Sequence, residues 1–279
     1  MTRNLNGLGY ANKTVVVTGA SSGMGEATAA ILVELGANVH IVDIIEPQIA
    51  CAGFYQTDLA DHLSVNATIN DIINKVSEID FLFSCAGVPP TVGALKCMMI
   101  NYIGNRQLVE GLLPMLSEGS GIAIIASDAA MGWQKHMNQS LELLKLSDPV
   151  EAKSWCEHHP EYLRDGYTSS KEMLLTWVQH SCIELGKSKG IRINCIGPGP
   201  TGTAFIPQME TSLDENYFAN FPYPLLKRMA TPQEQAWPLV LLNCSLNNVV
   251  TGACLWTDQG FASGVLTGAL DPSAIMSRK

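Results

Sequence analysis

A doubly wound parallel α/β sheet of about seven strands flanked by helices, formed as one domain over residues 1–279, is the fold this sequence predicts. Three observations carry the expectation. Residues 14–43 read as strand, helix and strand within about 30 residues, the span of one βαβ unit. The same alternation of short β-rich apolar runs with longer helical patterns then continues to residue 258. Composition agrees: 47 % of residues are hydrophobic and only 15 % charged, against a usual charged share of about 25 %. Much of the surface is therefore buried or covered by a subunit.

The elements follow in order. TVVVTG (14–19) is a buried strand, GEATAAILVELG (25–36) a helix closed by Gly36, and NVHIVD (38–43) the second strand. GFYQTD (53–58) is a short strand. Residues 61–77 form a helix, with Leu63, Val65, Ile69, Ile72, Ile73 and Val76 as its apolar positions. IDFLFSCAG (79–87) is a strand, followed by a long helix near 94–117 and the strand GIAIIAS (121–127). A helix opens near Tyr167 and runs to about Lys189, and IRINCIG (191–197) and GACLWTD (252–258) are the last strands.

Two stretches break this rhythm. Residues 132–166 form a polar, charged, helix-prone insertion, and 198–231 are rich in proline, threonine and aromatics. Long insertions in a compact domain usually carry function or an interface. The net charge of −9, from 17 basic and 26 acidic residues with no basic block, disfavours nucleic acid and anionic membranes as partners. None of the eight cysteines forms a C-x-x-C pair, which argues for buried free thiols in a reducing compartment. No run of about 18 apolar residues exists, and the first apolar run comes too late and too briefly for a signal peptide. A soluble, cytoplasmic protein is expected.

The turn between the first strand and first helix carries Gly19, Ser21, Ser22, Gly23, Met24 and Gly25. Glycines there allow close backbone approach, and the helix N-terminus receives a pyrophosphate. Asp43 ends the second strand, 18 residues after Gly25. An acidic side chain at that place accepts hydrogen bonds from the adenosine ribose and repels a 2′-phosphate. No Arg or Lys stands at 20–22 or 44–45, so NAD is expected over NADP.

Tyr167 and Lys171 stand four apart in YTSSK, on one face of a helix. A nearby ammonium favours the phenolate, so the pair can exchange a proton with an alcohol or carbonyl oxygen. Ser127 ends a strand at the sheet edge where such folds place ligands, and its hydroxyl can bond a substrate oxygen. Asn101 is a polar residue in the mostly apolar MMINYIG.

With these residues together, the sequence resembles a short-chain dehydrogenase/reductase of the classical subfamily over essentially its whole length. T-G-x-x-x-G-x-G is met by Thr18 to Gly25, and the acidic residue after the second strand is Asp43. The resemblance implies that Asp58 and Leu59 meet the adenine, and that Cys85, Ala86 and Gly87 line the cofactor in place of Asn-Asn-Ala-Gly. Asn101, Ser127, Tyr167 and Lys171 take the four catalytic positions. Pro198, Gly199, Thr201 and Thr203 fall where the family contacts the nicotinamide carboxamide. Two departures stand out: Ser84-Cys85 replaces two asparagines, and Ser127 and Tyr167 are 40 residues apart where the family usually has about a dozen. The long interval resembles 3α-hydroxysteroid dehydrogenase/carbonyl reductases. CAGVPPT and RINCIGPGPTGT also resemble coniferyl-alcohol dehydrogenases.

The resemblance implies that Lys171 holds the nicotinamide ribose and that Tyr167 takes the substrate proton. It further implies that Ser127 fixes the substrate oxygen and Asn101 holds a water that links Lys171 to solvent. A bulky apolar alcohol or ketone is the expected partner. Met131, Trp133, Phe205 and Met209, with Phe221 and Tyr223, are candidates to line its cleft, Val88 and Pro89 lie near the mouth, and about 200–231 forms a lid. His136, His158 and His159 are expected on solvated surface, with no metal. A homodimer or homotetramer is expected. The alternatives are a coniferyl- or aryl-alcohol dehydrogenase, and a non-catalytic NAD-binding regulator that would be expected to lose the tyrosine or lysine.

Overall fold

The computed structural model describes residues 5–213 and 216–273. Its first half comprises β1 (Thr14–Thr18), α1 (Gly23–Glu34), β2 (Asn38–Asp43), β3 (Gly53–Gln56), α2 (His62–Lys75) and β4 (Ile79–Ser84). One interrupted helix follows: α3 (Ala94–Met98), a π-helical stretch Met99–Gly104, and α4 (Asn105–Leu112). Then come β5 (Leu116–Ile125), a 3-10 segment Asp128–His136, and α5 (Met137–Leu144), α6 (Pro149–His158) and α7 (Pro160–Leu163). The second half contains α8 (Tyr167–Lys189), β6 (Arg192–Pro198), α9 (Ile206–Glu210), α10 (Tyr217–Asn220), α11 (Pro232–Asn243), β7 (Cys254–Thr257) and α12 (Phe261–Thr267).

All seven strands pair in parallel in the order β3-β2-β1-β4-β5-β6-β7. The order reverses between β1 and β4, so their carboxyl ends open a crevice at the switch point. Strand periodicity distributes the core. Val15 and Val17 point to one face, with α1 and α11, while Val16 points to the other, with α2, α4 and α8. Both faces are apolar because both are covered by helices.

Local chemistry sets the boundaries. Asp61 caps α2 by accepting from the Leu63 amide, and Thr231 and Glu234 form a capping box that opens α11. Gly190, left-handed, closes α8 just after Lys187 and Lys189.

Two expectations are corrected. The helix expected to reach 117 stops at Leu112, because Pro114 lies in the 3-10 turn that ends it. β5 begins at Leu116, with an irregular register opposite Ile79 and Phe81, and ends at Ile125, so Ser127 lies two residues past the strand. The helices α11 and α12 carried no sequence expectation; Pro238 inside α11 interrupts the pattern that would have marked it.

The insertion folds into α5, α6 and α7, which pack on α3, the π-helical stretch and α8. All eight cysteines are free thiols. Among the described residues, no helix is long and apolar enough to cross a membrane.

Candidate active site

The crevice is lined on one side by the turn after β1. A methyl group on Gly25 would lie 2.0 Å from the Gly19 carbonyl oxygen, so α1 can lie against the turn only without a side chain there. Gly19 has φ +68°, and a methyl group would meet the Ala86 Cα at 2.5 Å. Ser22 opens α1 without a side-chain cap, which leaves the first amides of α1 directed at the crevice. Asp43 accepts from the Ser21 amide at 2.8 Å and the Ile45 amide at 3.1 Å, which fixes its carboxylate beside the turn. Asp58 accepts from the Ala60 amide at 2.8 Å, and Leu59 is buried in the core. Met24 packs against the α1-side core. The turn, helix end and Asp43 form a cradle that can hold a diphosphate and a ribose.

The segment after β4 is braced by hydrogen bonds that converge on Asn105. Its Oδ1 accepts from Ser84 Oγ at 2.9 Å and Thr18 Oγ1 at 3.2 Å. Its Nδ2 donates to the Ala86 carbonyl at 3.0 Å and the Ile100 carbonyl at 2.9 Å. Thr18 Oγ1 in turn accepts from the Cys85 and Ala86 amides. The serine that replaces an asparagine thus keeps β1 and β4 tied through one hydroxyl. Cys85 beside it is a neutral thiol, pushed up to about 12 by burial.

Asn101 sits on the π-helical stretch and is fully buried. Such stretches recur at functional sites. Its Oδ1 accepts from the Val88 amide at 2.7 Å, and its Nδ2 donates to the Val88 carbonyl at 3.1 Å and to Ser170 Oγ at 3.2 Å. A methyl group on Gly87 would lie 3.4 Å from Asn101 Oδ1 and 3.5 Å from Lys171 Nζ, so both atoms flank Gly87.

Ser127, Tyr167 and Lys171 meet at the carboxyl end of β5. Ser127 Oγ accepts from the Ala129 amide at 3.1 Å and donates to Asp128 Oδ1 at 3.0 Å, with the Tyr167 phenol beside it. Lys171 Nζ donates to the Ile125 carbonyl at 2.9 Å and lies 5.7 Å from the Tyr167 ring centroid. Burial pushes the ammonium down to about 8, against the opposing pull of nearby thiols. Burial raises the Tyr167 phenol, and Asp128, Cys97 and Asp165 raise it further against the Ser127 hydrogen bond. Desolvation is the largest influence on the phenol here.

The remaining candidates lie along or against the segment 198–231. Pro198 ends β6, and Gly199 lies against Asp258 and Asp128. Thr201 Oγ1 donates to the Gly199 carbonyl, and Thr201 bridges to Ala230. Thr203 Cγ2 would stand 3.3 Å from a methyl group on Gly23, so the start of this segment touches the first turn of α1. Phe205 faces the Tyr167 ring, with centroids 5.8 Å apart. Met209 lies half-buried in α9, which packs on the turn Pro90–Val92. Met131 packs on an aromatic cluster of Phe221 and Phe261, so Phe221 serves that cluster. Trp133 packs against the main core.

One expectation about the insertion is overturned. His136 is not solvated surface: its Nδ1 lies 3.0 Å from Glu172 Oε2, a buried carboxylate on α8 next to Lys171. Arg164, the residue two before Gly166, closes on the same oxygen. The partner carboxylate comes from outside the insertion, where spacing within 132–166 could not reveal it. His158 and His159 bond carbonyls of their own helix, and His159 stacks on Trp155.

Residues 13–139 match the family profile described as short chain dehydrogenase, and 153–262 a second described as enoyl-(acyl carrier protein) reductase. The coniferyl-alcohol dehydrogenase of a Pseudomonas species is 30 % identical over 252 residues, covering 90 % of this chain and 97 % of that enzyme. The chain is a short-chain dehydrogenase/reductase. The 3-alpha-hydroxysteroid dehydrogenase/carbonyl reductase of Comamonas testosteroni is 28 % identical over 88 % of this family member and 95 % of that relative. A crystal structure of a 3-alpha-hydroxysteroid dehydrogenase from another Pseudomonas species, complexed with NADH, shares the fold. Its TM-score is 0.77 at 22 % identity, over 93 % of this chain and all of that one.

As a short-chain dehydrogenase/reductase, this oxidoreductase carries three polar groups that sequence reasoning missed at the site: Asn105, Glu172 and Asp128. Asn105 had a signal, since it stands four residues after Asn101 in an apolar helix and is fully buried. Glu172 had none, because its partners Arg164 and His136 lie in the insertion, and Asp128 had none, because an acidic residue directly after a serine carries no spacing signal.

Proposed function

We propose that this protein interconverts a bulky apolar secondary alcohol and its ketone with NAD, the alcohol being a hydroxysteroid of the 3α type or a similar cyclic alcohol. The observation that carries the reading is the meeting of Ser127, Tyr167 and Lys171 under the aromatic face of Phe205. The NAD preference rests on Asp43, held at the turn by the Ser21 amide with no cationic residue at 20–22 or 44–45. Relatives named for hydroxysteroids, one of them crystallised with NADH, support both halves of the proposal.

When bound, NAD supplies the hydride acceptor and a positive charge beside the substrate. The amides at the start of α1 bind the diphosphate, and Asp43 takes the ribose hydroxyls. Lys171, now donating to the Ile125 carbonyl, would hold the nicotinamide ribose. Ser127 and Tyr167 bind the substrate oxygen, and Tyr167 accepts its proton during oxidation and returns it during reduction. The gap beside Gly87, between Asn101 Oδ1 and Lys171 Nζ, is where a water would relay that proton to solvent. Val88, Pro89, Phe205 and Met209 orient the apolar body of the substrate. The assembly is a homodimer or homotetramer in the cytoplasm, and residues 1–279 act as one domain.

A second reading is an aryl-alcohol dehydrogenase, favoured by the 30 % identity to the coniferyl-alcohol enzyme. The test follows reduced-nicotinamide absorbance with NAD or NADP against hydroxysteroids differing in hydroxyl position, coniferyl and cinnamyl alcohols, and monocyclic terpene alcohols. Turnover of one steroid position with NAD supports the first reading, and turnover of aryl alcohols alone replaces it with the second. NAD binding without turnover of any alcohol overturns both and leaves a dinucleotide-binding regulator.

A further inference from the structure

Asp128 follows Ser127 directly and has no part in the chemistry described so far. Its Oδ1 receives the Ser127 hydroxyl at 3.0 Å, and its Oδ2 lies 3.6 Å from where a methyl group on Gly199 would stand. Asp258, from the turn between β7 and α12, lies against the same glycine. Both Asp258 oxygens are already engaged, accepting from the Gly260 and Ala262 amides.

A serine hydroxyl has one proton and two lone pairs. In Ser127 one lone pair takes the Ala129 amide, and the proton goes to Asp128. One lone pair remains. In this arrangement Ser127 has no proton to offer a substrate oxygen. A ketone oxygen is only an acceptor, so its reduction needs donors. A protonated Asp128 reverses the bond: the acid donates to Ser127 Oγ, and the Ser127 proton is freed for the substrate.

We propose that Asp128 is a positioning residue that sets the direction of the Ser127 hydroxyl, turning it into a donor to the substrate oxygen when the Asp128 carboxyl takes up a proton from solvent. No bond between heavy atoms changes, and the proton taken up stays on Asp128. The proposal rests on Ser127 as the substrate anchor.

The surroundings allow that protonation near neutrality. Burial pushes the Asp128 carboxyl up to about 7, against the Ser127 hydrogen bond and with Asp258 adding to the rise. The elements packed on the segment 128–136 are α8, α5, β6 and α12. From α8 come Tyr167, Lys171 and Glu172; Lys171 is bonded to Ile125, and Glu172 to Arg164 and His136. From β6 comes the buried thiol Cys195 and, at its far end, Arg192, whose Nη2 donates to the Asn243 carbonyl. The only ionisable residue of α5 is the exposed Glu142, and α12 has none. No cation among these is directed at Asp128 to hold it ionised.

The test has two arms. Infrared difference titration of the full chain follows the carboxyl band that Asp128→Asn removes, with no substrate present. Its midpoint should lie near neutrality and rise in Ser127→Ala, which loses the hydroxyl that favours the carboxylate. In the second arm, NADH-dependent reduction of decalone, a bicyclic apolar ketone, is followed against pH. Wild-type kcat/KM should fall above that midpoint toward a floor about 10²-fold lower, the effect of losing one oxyanion donor. Asp128→Asn offers a permanent amide donor to Ser127 Oγ, so it should lose this limb and keep only the one belonging to Lys171.

A midpoint unmoved by Ser127→Ala, or a near-neutral limb that persists in Asp128→Asn, overturns the proposal. If Asp128→Asn does not fold, Asp128→Ala assigns the carboxyl band and the shift in Ser127→Ala still decides it. Failure of the underlying reading looks different: wild-type protein would then bind NADH yet reduce no carbonyl at any pH, while the carboxyl titration would still report on the Asp128–Ser127 bond.

Discussion

The turn after β1 and the insertion α5–α7 border the helix α8 or its crevice, yet they are held by different forces. The turn is fixed by backbone crowding: Gly25 sits on the Gly19 carbonyl, and Gly19 on Ala86. The insertion is held by side chains. Tyr162 bonds Ser140, and the buried Glu172 gathers Arg164 and His136 onto α8. Backbone contacts leave a fixed residue pattern at short spacing, whereas side-chain contacts between remote segments leave none. The first region should therefore respond to substitution in cofactor binding, and the second in stability and substrate choice.

The largest effect should come from the group both regions serve. Tyr167→Phe keeps the ring beside Phe205 and removes the proton-transfer group. We expect kcat to drop about 10³-fold with NAD affinity nearly intact, measured by steady-state rates and nucleotide titration. Retained turnover would show that the two regions do not meet at this phenol.

Glu172→Ala tests the ionic clasp. It leaves Arg164 and His136 without their shared partner at a buried position, and should destabilise the protein by about 2 kcal/mol in denaturant unfolding. Amide exchange should speed up first in α5–α7. Uniform acceleration across the sheet would break the proposed division between the regions.

Asp43→Ala should act only on the other region. NAD affinity is expected to weaken about tenfold and discrimination against NADP to relax, as seen in binding titrations with both nucleotides. An unchanged preference would move the ribose contact elsewhere. The smallest effect is expected from Phe205→Ala, which should raise KM for apolar substrates a few-fold without altering NAD affinity.

The division also explains what was legible in advance. Strands such as NVHIVD and helices such as 167–189 are set by local periodicity, and their bounds emerge nearly unchanged in the structure. The glycine turn, Asp43, and the Tyr167–Lys171 pair are defined by short spacings within one or two elements. The helix α11 was hidden because its two prolines interrupt the helical period, although Thr231 and Glu234 mark its start. Asn105 escaped notice because the sheet brings its partners Thr18 and Ser84 close, Glu172 because it meets the insertion, and Asp128 because its bond to the adjacent Ser127 leaves no spacing signal. Even Tyr167 illustrates the limit: its lysine neighbour is legible from spacing, but the burial that raises the phenol is not.

The π-helical stretch Met99–Gly104 has a consequence of its own. A π turn holds one residue more than an α turn, so it acts as a phase slip between α3 and α4. Upstream of the slip, the helix shows Cys97 and Met98 to the core; downstream it turns Asn105, Leu108, Val109 and Leu112 inward. Deleting one residue here would restore regular winding and rotate everything beyond it by about 100°. Asn105 would swing away from β1 and β4 while the helix itself remained intact. The extra residue thus works as a timing element, keeping two faces of one helix in step with two different neighbours.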